Sequence, residues 1–292
     1  MLLTNWHVVS GLDPASPSRQ IGTLPSPHYL KVTVVSKKRM LTELTLPLYD
    51  HEMKPRWRVH PDGHNVDLAI MQIPDAAADH FNFYDIRSVE DAEDLEEIVG
   101  RDVFVVGYPF SRDELREGFG EEAPYFLPAW KRGSIASEPA VRLEGRIVLI
   151  DALSRAGMSG SPVFMAKDSH EMQALSPRTA KVFQRMTSGE GDALDVLREL
   201  DLSDTKSVTK KRFRFLGIYS GTIGSTKLAE VALGRCWHAE VVREATEKSH
   251  RGEMEFHAPV KNAHYDDLLS KCGFGRVVWR DGNGNEIDRF PL

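Results

Sequence analysis

A six-residue turn, GMSGSP at positions 157–162, restricts the fold more than any other segment of this chain. It sets Ser159 between two glycines, and glycine lets a backbone turn tightly enough to present a side chain. Two further polar residues stand beside strand-like runs, His7 within LLTNWHVV and Asp67 at the start of DLAIMQI. Because the three residues lie far apart in the chain, a fold that uses them together must pair distant strands.

Histidine, aspartate and serine are the side chains that acyl transfer through a serine requires. A serine hydroxyl is a weak nucleophile until a neutral imidazole can take its proton, and a buried carboxylate holds that imidazole in one tautomer. We therefore predict His7 as general base, Asp67 as its orienting carboxylate and Ser159 as nucleophile. The developing oxyanion needs backbone N–H donors, and we assign these to the amides of Gly157 and Ser159.

Each of these motifs also has an ordinary structural explanation. A histidine after an apolar strand is usually a packing or capping residue, and DLAI fits any strand with an acidic start. GMSGSP fits an ordinary turn, since Gly, Ser and Pro dominate turns for local reasons. The agreement of chain order and flanking segments favours the catalytic interpretation.

Six segments together resemble trypsin-like peptidases of the chymotrypsin fold, a group that includes bacterial high-temperature-requirement proteases and glutamyl endopeptidases. The order His, Asp, Ser is that of chymotrypsin, whereas α/β-hydrolases run Ser, Asp, His. The similar segments are LLTNWHVV, VDLAIMQI, DVFVVGYPF, KRGSIAS, IDALSRAGMSGSPVF and FLGIYSG. They extend over residues 1 to about 245, with gaps.

The resemblance implies an all-β fold, a chymotrypsin-like double β-barrel. To this the chain adds a helical insertion, a C-terminal helix and a C-terminal extension. The resemblance also implies a serine endopeptidase that hydrolyses polypeptides through an acyl-enzyme intermediate, with no cofactor and no metal.

Three positions depart from the family pattern. His7 stands close to Met1, where relatives have further strands, so we expect that the first barrel lacks its first strands or that other segments replace them. A barrel without those strands would have unpaired edges. Met158 replaces an acidic residue of zymogen-activated relatives, which argues against activation by N-terminal cleavage. Ser161 replaces a glycine, a small change that we expect to be tolerated.

Strand patterns and chain breakers divide the sequence into three parts. Residues 1–97 are predicted to form the first barrel and a linker, and residues 98–250 the second barrel with the nucleophile turn. Residues 251–292 form a C-terminal extension. An insertion at 166–209 changes to helical periodicity and either walls the cleft or is a surface excursion.

Two elements are predicted near the C-terminus. The segment 233–248 resembles the helix that packs on the second barrel of this family. The segment 276–290 predicts a hairpin on an Asp-Gly or Asn-Gly turn.

Charge and composition limit the partners and the location. The 292 residues carry a net charge of −6, with a pI near 6.0, which gives no sign of nucleic-acid binding. Cys236 and Cys272 are too few for the disulfide framework of many secreted proteases. No run reaches the ~18 apolar residues of a membrane span, and the N-terminus has no signal-peptide pattern. We expect a cytoplasmic protein without membrane or nucleic-acid partners, and its oligomeric state stays open.

The histidines His60 and His64, with Asp62 between them, come nearest to a metal-ligand pattern. Pro61 and Gly63 make a helical i,i+4 pair implausible here, and no cysteine lies near. We predict loop histidines and no metal site.

The resemblance assigns substrate-binding positions as well. Leu153 would lie near the floor of the primary pocket, while Ser220, Gly221 and Thr222 would line its wall and pair with the substrate backbone by strand addition. An apolar floor predicts a small or medium apolar side chain before the scissile bond.

Two hypotheses of different classes therefore remain. The first is an active serine endopeptidase, which the intact triad favours. The second is a catalytically inactive protease-fold module whose groove binds peptides or partners. The position of His7 so near Met1 and the unassigned C-terminal segment favour this second hypothesis.

Overall fold

Strands make up most of the regular structure, as the sequence predicts for an all-β fold. The computed structural model of the protein describes residues 1–21, 27–35, 37, 41–50, 52–73, 96–110, 114, 117, 128–138, 146–152, 157–223, 233–252, 276–280 and 286–291. The strands in chain order are β1 (Leu2–Thr4), β2 (Leu12–Asp13), β3 (Ser16–Gln20), β4 (Tyr29–Val35), β5 (Leu41–Pro47), β6 (Trp57–Val59), β7 (Ala69–Met71), β8 (Asp102–Gly107), β9 (Ala129–Ile135), β10 (Ile147–Asp151), β11 (Pro162–Ala174), β12 (Thr205–Ile223), β13 (Leu233–His238), β14 (His250–Arg251), β15 (Arg276–Arg280) and β16 (Glu286–Pro291).

Helices are few and short. The α-helices are α1 (Trp6–Ser10), α2 (Pro177–Ser188), α3 (Ala193–Arg198) and α4 (Ala239–Lys248), with 3₁₀ turns at Gly63–Asn65 and Leu202–Asp204. Within the described ranges, no helix has the length and apolar character needed to cross a membrane. The segment predicted as a helix from residue 233 begins as strand β13, and its helix starts only at Ala239.

Six strands of the C-terminal half pair in a closed cycle, in the order β10-β13-β12-β11-β8-β9. Along β8 buried and partly exposed residues alternate, with Val103 and Val105 buried inside the cycle. Alternation of this kind is what a barrel wall produces, and closure leaves no sheet edge unpaired. We call these six strands the C-terminal barrel.

The N-terminal lobe consists of two four-stranded sheets and the small β2-β3 hairpin. One sheet has the order β1-β7-β6-β14, and the other has the order β16-β15-β5-β4. Both contribute to one apolar core, in which Leu46 of β5 is clustered with Trp57 of β6, Met71 of β7 and Trp6 of α1. The strands that lead to His7 and away from Asp67 therefore belong to one packed unit.

The C-terminal segment supplies strands to this lobe. β14 pairs with β6, and β15 pairs with β5 through Val277–Leu44, Val278–Glu43 and Trp279–Thr42. β16 then pairs with β15, so the hairpin predicted from the Asp-Gly/Asn-Gly pattern is present. We expected the first barrel either to lack its first strands or to have other segments in their place. The described strands fit the second of these expectations. The pairing covers an edge of β5 that would otherwise be open.

A second apolar cluster joins the lobe to the barrel. Val66 and Leu68 flank Asp67 in the chain, and they belong to the same buried cluster as Phe164 and Phe215 on the barrel. Burying an aliphatic or aromatic side chain stabilises a fold by about 1.5–3 kcal/mol. This cluster therefore holds the Asp67 segment firmly against the barrel.

The insertion at 166–209 is a two-stranded ribbon with α2 and α3 at its tip. β11 and β12 remain paired from Pro162–Ile218 to Ala174–Thr205. The ribbon leaves the barrel beyond Met165, which pairs with Val103 near the start of β8, whereas the nucleophile turn lies beside the other end of β8. At about 3.3 Å per residue, the tip of a straight ribbon lies about 40 Å from Pro162. This direction favours a surface excursion over a wall of the cleft.

Candidate active site

His7 and Asp67 form a hydrogen-bonded pair. The Nδ1–H of His7 donates to Asp67 Oδ2 at 2.8 Å, and the backbone N–H of His7 donates to Asp67 Oδ1 at 3.0 Å. His7 is the second residue of α1, and an N–H in the first turn of a helix has no partner within the helix. The carboxylate therefore fixes the imidazole and satisfies the start of α1 at the same time.

The Asp67 segment is held by two further side chains. Asn5, fully buried, donates from Nδ2 to the carbonyl oxygen of Asp67 at 2.7 Å. The Ser220 hydroxyl donates to Asp67 Oδ2. Asp67 is only 1% exposed, and a buried carboxylate is tolerated when hydrogen bonds replace its lost water. Asp67 is thus immobilised through both its backbone and its carboxylate.

This pairing determines which nitrogen of His7 is available for chemistry. Nδ1 is engaged by Asp67, so Nε2 is left as the basic nitrogen. The His7 side chain is 18% exposed, against 1% for Asp67. A neutral imidazole oriented in this way is the arrangement that general-base catalysis requires.

The nucleophile turn is tied to the C-terminal barrel. Met158 is fully buried in the barrel core, while Ser159 after it is partly exposed. The N–H of Gly160 donates to the carbonyl of Tyr219 at 3.0 Å, and the N–H of Ser161 donates to the carbonyl of Met158 at 3.0 Å. A buried side chain and two backbone hydrogen bonds therefore hold the turn that presents Ser159.

Two amides of this turn are left without acceptors. Among the described residues, the N–H groups of Gly157 and Ser159 donate no hydrogen bond. Gly157 has a φ of +94°, a backbone conformation that favours glycine. An oxyanion hole needs backbone N–H groups that have no other acceptor. Gly157 and Ser159, on either side of Met158, provide two such groups.

The turn packs against the chain that leads to His7. A Cβ placed on Gly160, whose φ is +82°, would lie 2.8 Å from Thr4 Oγ1 and 3.6 Å from the Asn5 nitrogen. Only a residue without a side chain allows this approach. In the described part of the chain the Ser159 hydroxyl makes no hydrogen bond, to His7 or to any other group. Catalytic hydrogen bonds are often loose before substrate binds.

A family model of the trypsin-like peptidase domain matches residues 1–170. The match covers more than half of the chain and includes His7, Asp67 and Ser159. The chain belongs to the trypsin-like peptidase domain family. No curated protein matches it.

The predicted substrate-binding positions lie partly within the described residues. Ser220, Gly221 and Thr222 lie on β12, with Ser220 buried and its hydroxyl donating to Asp67 of the His7–Asp67 pair. Leu153 lies outside the described residues, so the expectation of an apolar pocket floor stays a prediction.

Sequence reasoning missed two residues of this trypsin-like peptidase domain. Asn5 holds the Asp67 backbone through a hydrogen bond. The sequence signal that could have marked it is its position directly before α1, two residues before His7. Arg235 of β13 donates from Nη2 to the Ser220 carbonyl at 3.1 Å and to its Oγ at 3.3 Å. No local pattern marks Arg235, because its position depends on strand register.

Two other polar residues, Cys236 and His60, have structural positions. Cys236 lies in the barrel core, where burial raises the pKa of its thiol, so it is no candidate nucleophile. His60 is buried and faces Glu244. In the ranges that the structure describes, no three His, Cys, Asp or Glu side chains gather as a metal site would require.

Proposed function

We propose that this protein is a serine endopeptidase that hydrolyses polypeptides, with His7, Asp67 and Ser159 as its triad. The observation that carries the proposal is the double hydrogen bond between His7 and the buried Asp67. The amides of Gly157 and Ser159 support it, because among the described residues neither N–H donates a hydrogen bond, so both are available to an oxyanion. Membership of a peptidase family supports the same reaction class.

The proposed reaction begins when Ser159 Oγ attacks the carbonyl carbon of the scissile peptide bond. Its proton passes to His7 Nε2, and Asp67 stabilises the resulting imidazolium. The negative oxygen of the tetrahedral intermediate accepts hydrogen bonds from Gly157 N–H and Ser159 N–H. Collapse breaks the C–N bond, and His7 gives its proton to the leaving amine.

Water completes the cycle. It attacks the carbonyl of the acyl-enzyme, with His7 Nε2 taking one of its protons. The second tetrahedral intermediate then collapses, His7 returns the proton to Ser159 Oγ, and the carboxylic acid product leaves. Every proton and electron pair of this proposed reaction is accounted for by substrate, water and these residues.

A fluorophosphonate probe tests the proposal, since it forms a covalent bond only with an activated serine. We expect the wild-type chain to be labelled, and both Ser159→Ala and His7→Ala to lose the label. Thermal melts would show that both variants are folded. A folded wild-type chain without label would contradict the proposal and leave the catalytically inactive peptide-binding module as the better description.

A further inference from the structure

A β-bulge lies beside the catalytic pair. Ser220 and Gly221 on β12 together oppose the single Arg235 on β13, because the pairing shifts between Tyr219 and Thr222. Bulges re-aim side chains and are common next to active sites. Here the bulge directs the Ser220 hydroxyl at Asp67 and brings Ser220 within reach of the Arg235 guanidinium.

The guanidinium of Arg235 has no anionic partner among the residues that the structure describes. Its Nη2 donates to the carbonyl and the hydroxyl of Ser220. Its Nε is buried without an acceptor, and across the described residues neither Nε nor Nη1 makes a hydrogen bond or an ion pair. A partly buried arginine normally has a carboxylate beside it, since an unpaired buried charge is costly. Nε is closed off from solvent, so Nη1 is the donor of Arg235 that is left for a ligand.

Asp67 is not the anionic partner of Arg235. Its carboxylate oxygens accept from the backbone and imidazole of His7 and from the Ser220 hydroxyl. Arg235 reaches Asp67 only through that hydroxyl, and no direct ion pair joins them. The Asp67 charge is thus committed to His7, and within the described ranges no other carboxylate contacts Arg235.

The space beside the bulge is open. A Cβ built on Gly221, whose φ is +82°, would meet nothing within 4 Å. A peptide that adds as a strand along Ser220–Thr222 spans three residues, about 10 Å, and would bring its side chains past this space. A carboxylate on such a side chain would accept from Nη1 of Arg235, and hydrogen bonds between charged groups are stronger than those between neutral groups.

We propose that Arg235 binds a carboxylate of the substrate, an aspartate or glutamate within the three residues before the scissile bond. This rests on the proposed function, because it places the peptide along β12 as a substrate would lie. It goes beyond that function by naming acidic peptides as the substrate class. Arg235 becomes a specificity-determining residue that leaves the triad itself unchanged.

The test uses fluorogenic peptides that differ only by Glu, Gln or Lys at each of these three positions. In the wild-type protein we expect kcat/KM for Glu to exceed that for Gln by roughly 10-fold or more at one position, through KM. Arg235→Gln removes the charge and keeps a donor for Ser220, so it should abolish the preference. Arg235→Lys should restore part of it, and Arg235→Glu should favour Lys.

Two outcomes would overturn the proposal. One is a wild-type protein that cleaves Glu and Gln peptides equally at all three positions. The other is an equal loss of kcat for both peptides in Arg235→Gln, which would show that Arg235 only positions Ser220 and Asp67.

A binding measurement separates this proposal from the proposed reaction. Labelled Glu and Gln peptides are titrated against Ser159→Ala, with and without Arg235→Gln, by fluorescence anisotropy. Tighter binding of the Glu peptide that disappears with Arg235→Gln supports the carboxylate site even if no peptide is cleaved. Equal binding of both peptides by a protein that does cleave them contradicts the site and leaves the peptidase reaction standing.

Discussion

Replacing Ser220 by alanine removes one hydrogen bond to the buried Asp67, the proposed orienting carboxylate. Asp67 would keep both contacts from His7, so the variant should fold, but Oδ2 would lose the Ser220 donor. No water can readily replace it, because Asp67 is 1% exposed and Ser220 is 2% exposed. The change therefore isolates one contact that holds Asp67 in place.

The expected size of the effect follows from this burial. A hydrogen bond to a charged group contributes about 1.5–3 kcal/mol. If the whole loss appears in the transition state, where His7 carries positive charge, kcat/KM falls roughly 10- to 150-fold. The fall should lie in kcat, because the contact strengthens as the imidazolium forms and does not touch the scissile bond.

Two assays decide the outcome, namely the rate of fluorophosphonate labelling and the free energy of unfolding in denaturant. Ser207→Ala is the matched control, since Ser207 lies on the same strand β12 and is exposed on the ribbon. The reasoning is wrong if Ser220→Ala labels within about twofold of Ser207→Ala and is equally stable.

Three further predictions concern other parts of the molecule. Burial lowers the pKa of His60 below its usual 6.5, against the opposing effect of the facing Glu244 and Asp62, while the nearby Arg146 lowers it further. As the pH falls, the His60 imidazole therefore takes up a proton in the unfolded chain before it does so in the folded protein. The free energy of unfolding should then fall as the pH drops below about 6.5. Denaturant melts of His60→Gln should show a smaller loss between pH 7 and pH 5, and an identical slope would contradict the assignment. Gly160→Ala should slow labelling in a folded chain, because its φ of +82° disfavours a side chain and its Cβ would lie 2.8 Å from Thr4 Oγ1; labelling at the wild-type rate would show that the turn can move. Replacing residues 168–211 by an Asn-Gly turn should leave the labelling rate within about twofold, because the ribbon leaves the barrel away from Ser159; loss of label in a folded variant would place the ribbon in the cleft.

Sequence predicts best those parts of this structure that depend on short-range residue patterns. The alternation in β8 and the glycines of the nucleophile turn are local, and the structure has a strand and a tight turn at those places. His7 and Asp67 were predicted as partners from their chemistry, their order in the chain and their flanking segments, and the structure places them in contact. The family model covers both residues, within its match to residues 1–170.

The parts that sequence predicts poorly depend on distant pairing. The ribbon strands are polar on both faces, so they carry no apolar alternation to mark them. Residues 233–238 belong to the segment predicted as a helix by family resemblance, but pairing with β10 and β12 makes them a strand. Arg235 gains its place from a register shift, and a register cannot be read from one strand alone.

The pairing of β15 with β5 has a consequence for how the protein is made. Val277 meets Leu44 across nearly the whole chain, and contacts between such distant residues form late and slowly. A ribosome releases the N-terminal lobe long before β15 emerges, so the sheet that contains β5 stays incomplete during synthesis. We expect nascent chains stalled before residue 276 to be cut readily by protease within the N-terminal lobe, and the released full-length chain to resist. On this account the lobe that contains His7 completes its folding only after translation ends, so the proposed peptidase activity would arise in the finished chain.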